Sequence, residues 1–509
     1  MNSFFLINSS KALTSIHLWF LSGLMCITLI SLSSTLITAQ SSSKPNLVII
    51  QTDEHNFRTL GCYRQQLRPD QAQVWGVGNV VQTPNIDHLA ENGVLFTKFY
   101  AASPVCTPSR GSFISGLYPQ NNGAPHNDLP LHDQTITYSM VLRDAGYKTG
   151  FIGKWHLDGT GKPQWEPARK FGFEDNRYMF NRGHWKKFKI GPKGPQVAAK
   201  NKNGKPTYDL ENADEQSYST DFLVDRGIDF ITENKQHPFS LYISLPDPHG
   251  PDRVRSPYDT MYQHMDFKAP PTYNKPQSDI PAWAAQAKNA KLEQATYFGM
   301  VKCIDDNVGK IITHLRENDL LENTIIIFTS DHGDLRGEHH RHNKGNPLEA
   351  SAKVPFIAFH PKKIPSGSVV NKTVNTVDFT PTILTFMGQE VPAPMQGRDF
   401  SALLINPVLE KDWEDIAFMR YGGRSKEGRW LAAVTSRYKL VLSEQDTPWL
   451  IDMKADPNEM TNFFAAPAYR DIIKKLSIQL REYGKVHQEP YLIESKIEED
   501  LEILCSDKF

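Results

Sequence analysis

From about residue 46 onward, short unbroken apolar runs alternate with longer stretches whose apolar residues recur at helical spacing. The first run, Asn46-Leu47-Val48-Ile49-Ile50, ends on Gln51-Thr52-Asp53-Glu54. An apolar run without polar alternation predicts a strand covered on both faces, here one that delivers two acids at its C-terminal end. Gly146 to Ile152 leads into the next predicted strand, and 239–245, 325–329 and 354–359 are further predicted strands. Helices are predicted from Thr83-Pro84-Asn85 through Leu89, over 136–145 and over about 291–318. One more is predicted to begin near Pro108, because a first helical turn does not need the missing N–H of proline. This alternation predicts an α/β fold, a large mixed, mostly parallel sheet flanked by helices. Past residue 405 the texture changes. Segments 430–434 and 438–442 predict antiparallel strands and 468–483 a closing helix, so the chain divides into 40–405 and a smaller sheet-plus-helix unit at 406–509. No internal repeat appears.

The first residues follow another pattern. Lys11 precedes an apolar stretch from Leu18 to Ile30, then Ser-rich sequence reaching Ala39. A charged start, an apolar centre and a small residue at the end predict a signal peptide over 1–39, and hence an exported protein, periplasmic or secreted. The stretch is short and interrupted by Ser and Thr, which favours a cleaved leader over a membrane anchor. A net charge of −1 across 509 residues supplies no field for nucleic acid, and no nucleic-acid motif is present. Beyond the leader, Cys62, Cys106, Cys303 and Cys505 are too scattered for a disulfide framework or a zinc site.

Candidate chemistry gathers where the predicted strands end, the usual place for sites in open α/β sheets. Asp53-Glu54 offers hard oxygen ligands, although adjacent acids also occur in plain solvated turns. Ser330-Asp331-His332-Gly333-Asp334 follows another strand and reads equally as a ligand pair or a turn. In Gly153-Lys154-Trp155-His156, Lys154 and His156 share one side of an extended segment and can address one anion. Pro246-Asp247-Pro248-His249-Gly250-Pro251 is a rigid turn that fixes His249, and Lys344 lies in the loop after Asp331. Cys106-Thr107-Pro108-Ser109-Arg110 puts a thiol at the positive end of a helix, four residues before an arginine, a setting suited to an anion. Each feature is weak alone.

Their order along the chain, acid pair, C-x-P-x-R, G-K-W-H, Pro-rich His turn, S-D-H-G and then Lys, resembles type I sulfatases of the alkaline phosphatase superfamily across nearly the whole mature sequence. A D-x-x-x-D-P-x-E segment, Asp452 to Glu459, resembles the one in that family's C-terminal subdomain. The resemblance implies that Cys106 is oxidised to Cα-formylglycine by a formylglycine-generating or anaerobic sulfatase-maturating enzyme. It also implies one divalent ion, usually Ca²⁺, held by Asp53, Glu54, Asp331, His332 and an oxygen of modified Cys106. Arg110 and the ion would then lower the pKa of one formylglycine hydroxyl, Lys154 and Lys344 neutralise charge on the sulfuryl oxygens, His249 protonate the leaving alkoxide and His156 accept a proton from the second hydroxyl. Two positions depart from the family pattern. The acid pair is Asp-Glu where Asp-Asp is common, and His332 stands where Asn is common, a weaker match to a hard cation.

Substrate signals are fainter. The resemblance implies a sulfated oligo- or polysaccharide, and the Pro-rich His turn resembles that of sulfatases acting on algal galactans such as carrageenan. His184 and Trp185 offer rings for sugars, and Arg253 and Arg255 offer guanidiniums for neighbouring sulfates. The lysine-rich stretch from Lys186 to Lys205 reads as a loop that either draws in a polyanion or is simply solvated. A phosphate or phosphonate ester hydrolase and a non-catalytic glycan-binding relative are the competing function classes.

Overall fold

The computed structural model describes residues 44–274, 280–285, 293–422 and 425–506. The predicted signal peptide at 1–39 lies outside them. The large sheet contains β1 (Asn46–Asp53), β2 (Val94–Phe96), β3 (Lys148–Lys154), β4 (Met179–Phe180), β5 (Phe239–Pro248), β6 (Thr324–Ser330), β7 (Phe356–Phe359) and β8 (Ser368–Val370). Their order is β8-β2-β7-β6-β1-β5-β3-β4. Only β7 runs antiparallel to its neighbours, so the predicted mixed, mostly parallel sheet is what forms.

Alternation of side chains along buried strands builds two cores from one sheet. Leu47 and Ile49 of β1, Ile325 and Ile327 of β6, and Phe356 and Ala358 of β7 enter one core. Val48 and Ile50, Ile326 and Phe328, and Ile357 and Phe359 enter the other. The first face is covered by α2 (Cys106–Ser115), α3 (Tyr138–Asp144) and α6 (Phe379–Phe386). The second is covered by α1 (Pro84–Glu91), α4 (Ser219–Asn234) and α5 (Gln294–Glu317). Helix α2 begins at Cys106, upstream of Pro108, because any of the first four helical positions can do without an N–H partner.

A second sheet, β9 (Ala417–Tyr421), β10 (Trp430–Val434), β11 (Tyr438–Ser443) and β12 (Trp449–Asp452), is antiparallel in sequence order. One face, with Leu431, Ala433, Leu440 and Leu450, packs on α7 (Arg470–Val486) and α8 (Lys496–Leu504). The other, with Trp430, Ala432, Val441 and Ile451, packs on Tyr100, Leu335 and Leu348. Those last two residues bracket the Lys344 loop, and Trp430 Nε1 donates to Gly345 O at 3.2 Å, so the small sheet holds that loop in place.

The lysine-rich stretch is not a loop throughout. Phe188–Gly191 and Gly194–Val197 pair as an antiparallel hairpin. Lys186, expected at a solvated rim, is wholly buried and ion-paired to Asp247 at 2.7 Å.

Candidate active site

Four neighbouring parallel strands, β6-β1-β5-β3, finish on the same edge of the sheet and deliver the site. Asp53 ends β1, Lys154 ends β3, Asp331 directly follows β6 and His249 directly follows β5. The β1 register shifts between Gln51 and Asp53, and Glu54 then turns left-handed at φ 64°. Such a conformation is costly for a side chain larger than Gly, and here it turns the chain beside Asp331. Glu54 N donates to Asp331 Oδ1 at 3.1 Å. Gly153 is required by the close approach of β3 to β5. A Cβ there would lie 1.9 Å from Ser244 O.

Helix α2 brings its N-terminus to this edge, and Cys106 and Arg110, one turn apart, share a face. Arg110 is spread over the acids. Nε donates to Asp331 Oδ2 at 2.9 Å and Nη1 to Ser244 Oγ at 2.6 Å and Lys154 O at 3.0 Å. Nη2 lies 3.3 Å from Asp53 Oδ2, which also pairs with Lys154 Nζ. Cys106 Sγ is 3.2 Å from His332 Nε2 and 3.8 Å from Asp53 Oδ1. Burial works against its ionisation, but Lys154, Lys344 and His332 overcome this and hold the thiol well below its usual range. That is the electrostatic character of a site built for an anion.

Donor atoms of Asp53, Cys106, Asp331 and His332 lie within 4.8 Å of one another, all buried. Burial and Asp53 raise the carboxyl of Asp331. Burial opposes protonation of His332, yet Asp331 and Cys106 push it up to about 9. Both shifts mark negative charge short of compensation, and a divalent cation fits such a donor set. Glu54 is not one of these four. Its Oε2 sits 2.9 Å from His249 Nε2 and 3.1 Å from Lys344 Nζ, while buried Oε1 has no hydrogen-bond partner among the described residues. His249 Nε2 also lies 2.7 Å from Lys344 Nζ.

His156 Nε2 is 3.3 Å from Asp128 Oδ1, and its backbone is pinned by Asn181 O at 2.6 Å and by Thr107 Oγ1 at 2.9 Å. His184 Nε2 lies 2.8 Å from Lys154 Nζ, so it belongs to the charged centre. Trp185 and Arg255 are not presented to the site. Trp185 is buried against Tyr208 with Nε1 bonded to Arg182 O at 3.0 Å, since an indole buried that deeply needs its N–H satisfied. Arg255 is clamped by Asp221 through bonds of 2.7 and 3.0 Å. Arg253 is half-exposed and paired with Asp209 at 3.0 Å. Sequence reading missed Asp128, Ser244 and Asp247, and misplaced Lys186 in a solvated loop. Asp247 had a visible signal, an acid inside a Pro-rich turn, whereas Asp128 sits in a loop that ends no strand.

Fold, strand-end acids and the thiol-bearing helix define a hydrolase centre for an anionic ester. The sulfatase family profile matches residues 45–389, and that of the N-sulphoglucosamine sulphohydrolase C-terminal domain matches residues 337–486. The chain belongs to the sulfatase family. It is 26% identical over 535 residues to the N-acetylglucosamine-6-O-sulfatase of Bacteroides thetaiotaomicron, covering 88% of each chain. To the ulvan-active sulfatase of Formosa agariphila it is 27% identical over 450 residues, covering 86% of this chain and 80% of the relative. A solved structure of a protein in complex with its substrate D-glucosamine-2-N,6-O-disulfate superposes with a TM-score of 0.71 at 24% identity. It covers 88% of this chain and 99% of the other.

Proposed function

We propose that this sulfatase is an exported enzyme that hydrolyses sulfate esters on a sulfated carbohydrate, a marine algal polysaccharide of the carrageenan-like galactan type. One observation carries the reaction class. Cys106, Arg110, Lys154, Lys344, His156 and His249 meet at one sheet edge, beside four buried groups that suit a divalent cation. In this reading Cys106 is converted to Cα-formylglycine by a maturation enzyme, its hydrate supplies an oxygen nucleophile, and a bound Ca²⁺ would supply Lewis acidity beside it. Asp53, Asp331, His332 and residue 106 would hold that ion, with Glu54 as the further ligand through its buried Oε1, unpartnered among the described residues.

The remaining work belongs to side chains whose positions are fixed. Lys154 Nζ and Lys344 Nζ neutralise charge on the sulfuryl oxygens, in a buried setting where such interactions are strong. Arg110 orients both carboxylates. His249 and Lys344 are each 14% exposed in their side chains, while Asp53, Asp331 and Arg110 are all 3% or less. His249 therefore faces the opening, where a leaving sugar oxygen departs, and its Nε2 is the atom that delivers a proton. His156 accepts a proton from residue 106.

The test is sulfate release from a panel of carrageenans, ulvan, sulfated fucans and glycosaminoglycans, with intact-peptide mass analysis of residue 106. Release from a galactan by protein carrying the aldehyde supports the proposal. Release from another sulfated glycan alone moves the substrate, and full activity with an unmodified thiol ends the formylglycine reading.

A further inference from the structure

The residue that fixes the His156 proton is not visible in the sequence. His156 Nε2 lies 3.3 Å from Asp128 Oδ1, and both side chains are largely buried. A carboxylate accepts and cannot donate, so Nε2 carries the hydrogen and Nδ1 is left with its lone pair. Nδ1 is buried and has no hydrogen-bond partner among the described residues. The His156 side chain lies within hydrogen-bonding reach of Cys106. With Nε2 engaged by Asp128, Nδ1 is the nitrogen left to address residue 106.

Asp128 is itself held in place. Arg182 Nε forms an ion pair with the same Oδ1 at 2.9 Å, which holds the carboxylate in place. Its neighbour Asn127 accepts from Thr107 N at 3.0 Å, capping an amide in the first turn of α2 that carries residue 106. Thr107 Oγ1 closes the circuit by donating to His156 O at 2.9 Å. One short loop therefore positions both the helix bearing residue 106 and the imidazole facing it. Asp128 and His156 are also both left-handed, at φ 71° and 59°. Strain at such positions persists only where surrounding contacts determine it.

We infer that Asp128 is a positioning residue for His156, holding Nε2–H so that Nδ1 faces residue 106 as a proton acceptor. This deepens the proposed reaction and rests on it for its kinetic part. Its spectroscopic part needs neither substrate nor the modified residue.

Two measurements test it. In full-length protein with an unmodified thiol, the His156 Nε2–H proton should appear as a downfield, slowly exchanging resonance in nuclear magnetic resonance spectra. It should vanish in Asp128→Ala and weaken in Asp128→Asn, whose side chain tolerates the left-handed backbone. A resonance unchanged in Asp128→Ala overturns the assignment without touching the sulfatase reading. In matured enzyme, Asp128→Asn should lower kcat about 10- to 100-fold at nearly constant KM, the usual range for a group acting through another. The double variant Asp128→Asn with His156→Ala should be no slower than His156→Ala alone. Independent, multiplying losses would show that Asp128 acts by another route. A wild-type enzyme inactive on every sulfated glycan would sink the proposed function and leave the resonance to decide the positioning role.

Discussion

His184 and His249 stack face to face, with ring centroids 3.4 Å apart and planes within 8°. Two imidazolium ions cannot share that contact cheaply, so at most one of the pair carries a proton. Burial first, then His249 and Lys154, hold His184 well below its usual range, so the stack does not bring two imidazolium ions together. The stack also keeps His249 Nε2 between Glu54 and Lys344. His249→Ala should depress kcat strongly on a sugar sulfate, whose alkoxide needs a proton. It should cost much less on an aryl sulfate, whose phenolate leaves unaided. Paired kinetics on the two leaving groups check this. Equal losses would pass the proton-donor role to Lys344.

Lys186 is a hidden support of the same turn. Its Nζ donates to Asp247 Oδ1 at 2.7 Å and to His249 O at 2.9 Å, and Asp247 Oδ2 accepts from Tyr218 and Thr220, both at 2.6 Å. Lys186→Met should cost about 3–5 kcal/mol by denaturant titration, because it strands a buried carboxylate. Loss of activity should accompany it at any ionic strength. Lys189→Gln, on the exposed hairpin, should instead raise KM for a polymeric substrate only at low salt. A salt-sensitive Lys186 phenotype would contradict its burial.

That contrast shows what a sequence reveals and what it hides. Strand ends announce themselves: the predicted strands at β1, β5 and β6 run up to Asp53, His249 and Asp331, so most of the cluster could be placed from the sequence. The α2 start was legible from Pro108. Lys186 was misjudged because charge density along the chain says nothing about which lysine turns inward, and a partner sixty-one residues away is invisible to local pattern. Trp185 and Arg255 failed as surface candidates for the same reason. Each found a partner elsewhere along the chain, half-buried Tyr208 and buried Asp221. Asp128 is a loop acid whose meaning comes only from His156 and Arg182.

Removing the divalent ion should lower activity and melting temperature together. Without a cation the carboxylates of Asp53 and Asp331 and the Cys106 thiol face one another within 4.8 Å, and only side-chain cations offset them. An ion present at 100 times its dissociation constant adds about 2.7 kcal/mol, all of it lost on chelation. Asp331→Asn should reproduce most of that loss, and Ca²⁺ should no longer shift its melting temperature. Chelated, demonstrably metal-free protein with unchanged melting and activity would rule out the ion.

His360 supplies a pH dependence remote from this chemistry. It is buried at the end of β7, and Nδ1 accepts from Lys362 N at 3.1 Å, which requires the lone pair of the neutral ring. Burial, then Lys363, lower it from 6.5 to about 4. Between those values the unfolded chain binds a proton that the folded chain refuses. The contribution is therefore complete above pH 6.5 and drains away as pH falls toward 4. His360→Gln keeps an acceptor for the Lys362 amide but cannot titrate. Denaturant unfolding from pH 4 to 7 should show a shallower acid limb in the variant than in the wild type. Parallel limbs would mean that His360 gains its proton in the folded state as readily as in the unfolded chain.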